Sequence, residues 1–194
     1  MKREELLKQI AETGYTVGYA AKKHFATTDV VDKIPGWISF ISLAIGVFAL
    51  VNPALGEKYV AATLVVSAVA ALYMSFYDKA QYASVGKELT GYFHELRTHY
   101  ALVKSLPEGV DAAPHLAEYA RIRTASNQLG LSKQIFLSDW VAHYKFFWQQ
   151  QIGWLDDELH FTFWRDKVPL TMSITGAVAI VAILALVVQR AMTV

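Results

Sequence analysis

Three long stretches without charged side chains divide the chain. No Asp, Glu, Lys or Arg occurs in the 23 residues from Ile34 to Gly56, in the 19 from Tyr59 to Tyr77, or in the 22 from Val168 to Gln189. A helix rises 1.5 Å per residue, so about 20 apolar residues cross a hydrocarbon core of about 30 Å. Because each stretch is long enough, the pattern predicts three transmembrane helices.

The connection between the first two spans is very short. It has the sequence Asn-Pro-Ala-Leu-Gly from Asn52 to Gly56, a run of turn-forming residues. Such a link favours an antiparallel hairpin, here over residues 34–77. Ahead of the hairpin, the segment Pro35-Gly36-Trp37 predicts a break in the preceding helix and a tryptophan at the membrane interface.

The segments outside the spans show helical spacing as well. Residues 1–33 place Leu6, Ile10 and Val17 among lysines and glutamates, which is typical of an amphipathic helix. We expect this helix to end near Lys33, just before the first span.

The middle segment, residues 78–167, is also helical by pattern. Apolar residues recur at steps of three and four from Tyr82 to Val103, in a helix that can follow the second span without a break. Another helix is predicted to end near Gly130, and Ser132 is a candidate N-cap for an aromatic-rich helix beyond it. The predicted fold is an all-α membrane protein with a tight N-terminal hairpin, a helical region over 78–167, a third transmembrane helix over 168–189 and a short tail over 190–194.

The distribution of positive charge predicts the orientation of the chain. Of 18 Lys and Arg residues, six lie in residues 1–33 and ten in residues 78–167. The positive-inside rule therefore places the N-terminus and the middle segment in the cytoplasm and the C-terminal tail outside a bacterial inner membrane. The net charge of +1 gives no general attraction to nucleic acid. Because the chain has no cysteine, it cannot form disulfides, thiolate metal sites or cysteine nucleophiles.

Two readings of the spans remain open. Ion-coupled transporters and proton pumps usually keep ionisable groups at membrane depth, so these uncharged spans favour a passive pore or a plain anchor. Small residues recur along both hairpin helices, and such rows serve either close helix packing or the lining of a pore built from several copies. The candidates are Ser39, Ser42, Gly46, Thr63, Ser67, Ala71 and Ser75.

Candidate sites outside the spans are cationic. Arginine forks and lysines near aromatic residues suit phosphate-containing ligands, although the same residues also serve as topology signals and solvated surface. His94 and His99 are five apart and point in different directions, so we expect no zinc site, and no cofactor or enzyme motif is present. The candidate ligand-binding residues are Lys22, Lys23, Arg97, Arg121, Arg123 and Lys133.

Two motifs resemble the SLATT family of bacterial two-span membrane proteins. They are Gly18-Tyr19-Ala20-Ala21-Lys22-Lys23-His24-Phe25 and Pro35-Gly36-Trp37-Ile38-Ser39-Phe40-Ile41-Ser42, and the likeness covers roughly residues 10–105. The resemblance implies a membrane effector of antiphage defence, associated with nucleotidyltransferases that make nucleotide signals. It also implies action by oligomerisation, pore opening and loss of membrane potential. The third span departs from the minimal two-span plan.

The predicted function is therefore a homo-oligomeric pore in the bilayer, gated by a nucleotide or oligonucleotide from a partner nucleotidyltransferase. A non-conducting membrane scaffold that recruits a cytoplasmic partner is the alternative.

Overall fold

The computed structural model describes residues 2–192, and this part of the chain is built of helices joined by turns and loops, without a strand. The all-α prediction is confirmed. A 3-10 turn at Pro53–Gly56 and another at Ala113–His115 lie between helices, and a π-helical turn covers Lys145–Gln149. The α-helices are α1 Arg3–Ala49, α2 Lys58–Met74, α3 Lys79–Lys104, α4 Leu116–Asn127, α5 Ser138–Tyr144, α6 Gly153–Leu159, α7 Phe163–Asp166 and α8 Leu170–Met192.

Helix α1 is a single helix of 47 residues that continues through Pro35. The predicted break at Pro35-Gly36-Trp37 is therefore wrong. Proline removes only one backbone donor, and the turns on either side preserve the helix. The Ser39 hydroxyl also donates to the Pro35 carbonyl at 2.9 Å. As a result, the amphipathic segment and the first apolar stretch form one rod.

The first half of α1 is the centre of a helical bundle. Its apolar face packs chiefly on α3, with α4, α5 and α6 completing the enclosure. Burial of this face follows from the helical spacing seen in the sequence. The core side chains include Leu6, Ile10, Val17 and Ala21 of α1, Leu89, Phe93, Leu96, Tyr100 and Val103 of α3, Tyr119 and Ile122 of α4, and Phe146 and Leu155.

A second, smaller cluster lies where α1 leaves the bundle. It consists of the buried residues Val30, Tyr77, Tyr82 and Ile135. These side chains come from α1, the α2–α3 connection, α3 and the loop after α4, so four segments meet at the base of the hairpin.

The predicted hairpin forms at the expected turn. The Asn52 side chain accepts a hydrogen bond from the Ala54 N–H at 3.1 Å and caps the 3-10 turn. Helix α2 has 17 residues and is about 26 Å long. A continuous passage into α3 is wrong, because the two helices are separated at Ser75–Asp78 and differ in direction by 59°. Asp78 caps the new helix by accepting from the N–H groups of Ala80 and Gln81.

The aromatic-rich segment does not form one long helix. Helix α5 begins at Ser138, after Leu137 in the left-handed region at φ 70°, so Ser132 is not its N-cap. The π-helical turn and the left-handed His160 divide the rest into α6 and α7. The shorter helices let the aromatic rings pack from several directions.

Helix α8 extends away from the bundle. Every residue from Leu170 to Met192 is exposed. Its start is attached to the bundle by the Trp140 indole, which donates to the Thr171 hydroxyl at 2.9 Å. Helices α1 and α8 are long and apolar enough to cross a membrane, and α2 with α3 provides a third, bent candidate. Of the predicted tail, residues 190–192 continue α8, and residues 193–194 lie outside the described part.

Two glycines allow α1 to lie close to its neighbours. A methyl carbon at Gly18 would be 2.7 Å from Phe93 Cδ2 and 2.9 Å from Phe146 Cε2, and both rings are buried. At Gly14 it would be 3.1 Å from a methyl carbon of Leu155. These contacts leave no room for a larger residue at either position.

We expect Gly18→Ala to lower the free energy of unfolding by about 1–3 kcal/mol, because the added methyl overpacks the α1–α3 contact. Denaturant titration of the detergent-solubilised protein, followed by circular dichroism, measures this change. Gly91→Ala is the matched control, since nothing lies within 4 Å of that position and alanine favours the helix. Equal stability of the two variants would contradict the close approach.

Candidate functional site

The small residues of the spans divide between two environments. Ser42, Ser67 and Ala71 are half-buried along the contact of α1 with α2. The remaining four are exposed on the outside of the hairpin, and they are Ser39, Gly46, Thr63 and Ser75. The half-buried row therefore packs α1 against α2. The exposed row, called the outward row below, faces the surroundings of the hairpin.

Several hydroxyls of the spans are satisfied within their own helices. Thr63 donates to the carbonyl of Tyr59 at 2.8 Å, and Ser67 donates to the carbonyl of Thr63 at 2.9 Å. Such back-bonding removes the cost of placing a hydroxyl in hydrocarbon without a partner. The outward row is therefore compatible both with lipid and with a neighbouring helix.

The six candidate cations do not converge on one site. Lys23 pairs with Asp139 at 2.8 Å. Arg121 is held by Glu95 at 2.6 Å and Glu118 at 2.8 Å. Lys23 and Arg121 are therefore both held in ion pairs on the surface of the bundle.

The other cations are spread over different faces. Burial lowers the pKa of Lys22, and the positive charge of Lys145 lowers it further. Arg97 donates to the Gln151 side chain at 3.3 Å. Lys133 lies over the Tyr77 ring, 4.6 Å from its centroid, at the base of the hairpin.

Arg123 lines a polar groove between α1 and α4. The groove has a volume of about 320 Å³ and is lined by hydroxyl, amide and carboxylate groups. In its wall, the hydroxyls of Thr13 and Tyr119 lie 2.9 Å apart. The other polar residues are Gln9, Glu12, Thr16 and Asn127. Of the six cations, Arg123 has the surroundings that best suit a polar ligand.

A buried histidine joins α1 to the loop after α4. His24 is 3% exposed, and its Nδ1–H donates to the Ala20 carbonyl at 2.7 Å. Its Nε2 accepts from the Leu131 backbone N–H at 3.0 Å. These two bonds fix a neutral imidazole, and burial lowers the pKa of His24 accordingly.

The contacts around His24 extend to α3 at the base of the hairpin. Gln134 accepts from the Thr27 hydroxyl at 2.6 Å and donates to the Leu131 carbonyl at 2.8 Å. The Tyr82 hydroxyl donates to the carbonyl of Lys133. The network therefore links α1, the loop and the start of α3.

Acidic residues on α1 complete this junction. Asp29 pairs with Lys145 and, at 2.8 Å, with Lys33, while Asp32 pairs with Lys79 of α3. Burial alone would raise the pKa of Asp29, but the hydrogen bonds from the two lysines outweigh it and hold the pKa below its usual range. The pair with Lys145 connects α1 to the π-helical turn, and the pair with Lys79 connects it to α3. Both lie close to the point where the hairpin begins.

A second histidine links α1 to the segment before α8. The Tyr19 hydroxyl and His143 Nδ1 lie 3.0 Å apart, and Nε2–H of the same ring donates to the Asp166 carbonyl at 3.1 Å. Burial lowers the pKa of His143. His143 of α5 therefore joins α1 to α7.

Among residues 2–192, no three His, Asp or Glu side chains are grouped so as to hold a metal ion. What the structure brings together is a junction of buried polar contacts between the bundle and the bases of the apolar helices. Hydrogen bonds and ion pairs at this junction join the bundle to the bases of the apolar helices.

A family model described as "SMODS and SLOG-associating 2TM effector domain 6" matches residues 1–176. The match covers the bundle, the hairpin and the first turns of α8. The chain belongs to the SLATT family. It is thus a membrane effector associated with defence systems, and the suspected resemblance is confirmed. The chain has no match among curated proteins or among solved structures.

Sequence reasoning missed the central residues of the junction in this SLATT protein. His24 continues the row of Ile10, Gly14, Val17 and Ala21 at steps of three and four. A polar residue on that apolar face is a signal for a buried hydrogen bond. Its partners, Leu131 and Gln134, are more than 100 residues away and could not be inferred from spacing.

We expect the protein to lose stability as the pH falls from 7.5 to 5.5, in part because of His24. The folded pKa lies below the ordinary value of about 6.5, so the unfolded chain binds the extra proton first and acid favours unfolding. His24→Gln lowers stability at pH 7.5 but reduces the slope, which for one proton is at most about 1.4 kcal/mol per pH unit.

Thermal unfolding across this pH range measures the effect. His94→Gln, at an exposed position on α3, is the control and should keep the wild-type slope. The buried His99 and the half-buried His143, whose pKa values are also lowered by burial, account for the slope that remains. An unchanged slope in His24→Gln would contradict a neutral, buried imidazole.

Proposed function

We propose that this SLATT effector forms a homo-oligomeric pore whose opening is controlled by a nucleotide or oligonucleotide bound to the helical bundle. The observation that carries the proposal is the continuity of α1. Its first half is the central helix of the bundle, and its second half is the first helix of the hairpin that extends from the bundle. A change in the bundle therefore reaches the membrane through one uninterrupted helix.

The shape of a single chain supports the proposed oligomerisation. Two antiparallel helices enclose no water path, and α8 is exposed along its whole described length. In the bilayer, association of such helices relies on close packing of small residues and on hydroxyl contacts. The outward row of Ser39, Gly46 and Thr63 offers both, so we place it at the interface between copies or on the pore lining.

The charge distribution supports a cytoplasmic bundle. Both the N-terminal segment and the middle segment are rich in Lys and Arg, and they fold together into one bundle on one side of the hairpin. We therefore propose a bacterial inner-membrane location, with the N-terminus in the cytoplasm and the C-terminal end of α8 outside. Opening a pore there would depolarise the cell and arrest growth.

The groove at Arg123 is the proposed ligand site. It lies beside α1, and a ligand there would contact the helix that continues into the first span. The guanidinium suits a phosphate, while the surrounding hydroxyls and amides suit sugar or base edges. The junction around His24 then connects the bundle to the hairpin base.

We expect Thr63→Leu to lower the single-channel conductance of the purified oligomer in planar bilayers, because it removes an outward hydroxyl of the hairpin. Thr175→Leu on α8 is the matched control: both threonines are exposed and donate to their own helix at 2.8 Å. A larger effect at Thr175 would assign the lining to α8. Protein that never conducts, with any nucleotide tested, would support the scaffold alternative.

We expect Arg123→Ala to weaken nucleotide binding about tenfold or more, since a hydrogen bond to a charged group contributes about 1.5–3 kcal/mol. Titration calorimetry with a panel of linear and cyclic mono-, di- and trinucleotides measures the affinity. Arg121→Ala, two residues away but committed to Glu95 and Glu118, is the control and should bind normally. Loss of binding in both variants, or in neither, would contradict this assignment.

A further inference from the structure

An aromatic groove lies beside the start of α8. It has a volume of about 470 Å³ and is formed by α5, the π-helical turn, α7 and the first residues of α8. Its wall includes Trp140, Tyr144, Trp148, Phe163, Lys167 and Met172. Trp148 is 62% exposed although it lies against the Phe163 ring, so the rings are held in place but not covered.

The groove is level with the first turn of α8. Trp140 donates to the Thr171 hydroxyl, and Met172 of the same turn forms part of the wall. From this turn onward, every described residue of α8 is exposed and the helix is strongly apolar. The apolar medium that surrounds α8 is therefore also in contact with the groove.

The polar end of the groove is positive. Lys167 is the only Lys, Arg, Asp or Glu among the described residues of the wall, and it forms an ion pair at 4.0 Å with Asp156, which lies outside the wall. Burial lowers the pKa of His143, which is also in the wall. Arg165 is two residues away but outside the groove and bonded to Asp166 at 3.1 Å. The wall thus combines a large aromatic surface with one cation and no carboxylate.

We propose that this groove binds a phospholipid with an anionic headgroup, taken from the leaflet that faces the bundle. The acyl chain lies against Trp148, Phe163 and Met172, and the phosphate lies beside Lys167. Aromatic side chains favour this depth of the bilayer, and a lysine at the membrane surface favours anionic lipid. The bound lipid fills the space between the bundle and α8, and it holds the start of α8 at the interface.

The proposal depends on the membrane insertion of α8 but not on conduction. Its test therefore uses lipid binding by the full-length protein in nanodiscs. Phosphatidylglycerol with brominated acyl chains quenches tryptophan fluorescence on contact, and it is added at increasing mole fraction to unbrominated phosphatidylcholine. Trp148→Phe shows how much of the quenching comes from the groove, and Lys167→Gln removes the cation.

We expect a component of quenching that saturates at low mole fraction of phosphatidylglycerol and becomes smaller in Trp148→Phe, with Trp140 of the same wall accounting for the part that remains. In Lys167→Gln, its midpoint should move about fivefold higher, to the value measured with brominated phosphatidylcholine. Arg165→Gln is the matched control and should keep the wild-type midpoint. Thermal unfolding of each variant in detergent verifies that the bundle is intact.

Three results would overturn the proposal. Quenching that is unchanged by Trp148→Phe would place no lipid at the groove. Equal midpoints for wild type and Lys167→Gln would remove the role of the cation. Disulfide formation between Trp148→Cys copies, which is unambiguous because the chain has no other cysteine, would assign the groove to a second copy instead.

Discussion

The close packing of the first half of α1 against α3 is the contact on which the rest of the structure depends. Gly14 and Gly18 bring α1 within van der Waals distance of aromatic side chains from the bundle. Because α1 continues into the first span and α3 follows the second, this one contact also sets the separation of the two hairpin helices at their base. A fixed bundle therefore imposes a fixed starting geometry on the hairpin.

Polar interactions are concentrated at the base of the hairpin, where the bundle meets the two hairpin helices. The smaller apolar cluster around Tyr77 and Tyr82 is bordered by the hydrogen bonds of His24 and by the ion pairs of Asp29 and Asp32. Buried hydrogen bonds have directional requirements that apolar contacts lack, so they favour one arrangement of the joined segments over nearby alternatives. Under the function proposed above, this is the place where a signal in the bundle would alter the spans.

The outer surfaces are built differently. Along α8 and the outside of the hairpin, apolar side chains are left exposed, which in water would be strongly unfavourable and in lipid is not. The family match ends at residue 176, so most of α8 lies beyond the shared domain. The aromatic groove at the start of α8 is where this helix joins the bundle.

The sequence alone determined the helical class, the tight turn at Asn52–Gly56 and the spans, because local periodicity and the absence of charge are properties of consecutive residues. It also indicated the family from motifs around Gly18 and Pro35. Only the tertiary structure decided that α1 passes through Pro35, that the outward and inward rows of small residues differ, and that His24 meets Leu131. The rows of small residues and the His24 contact depend on packing between residues far apart in the chain, which no spacing rule encodes. The helix passes Pro35 because only one backbone donor is lost there and the turns on either side persist.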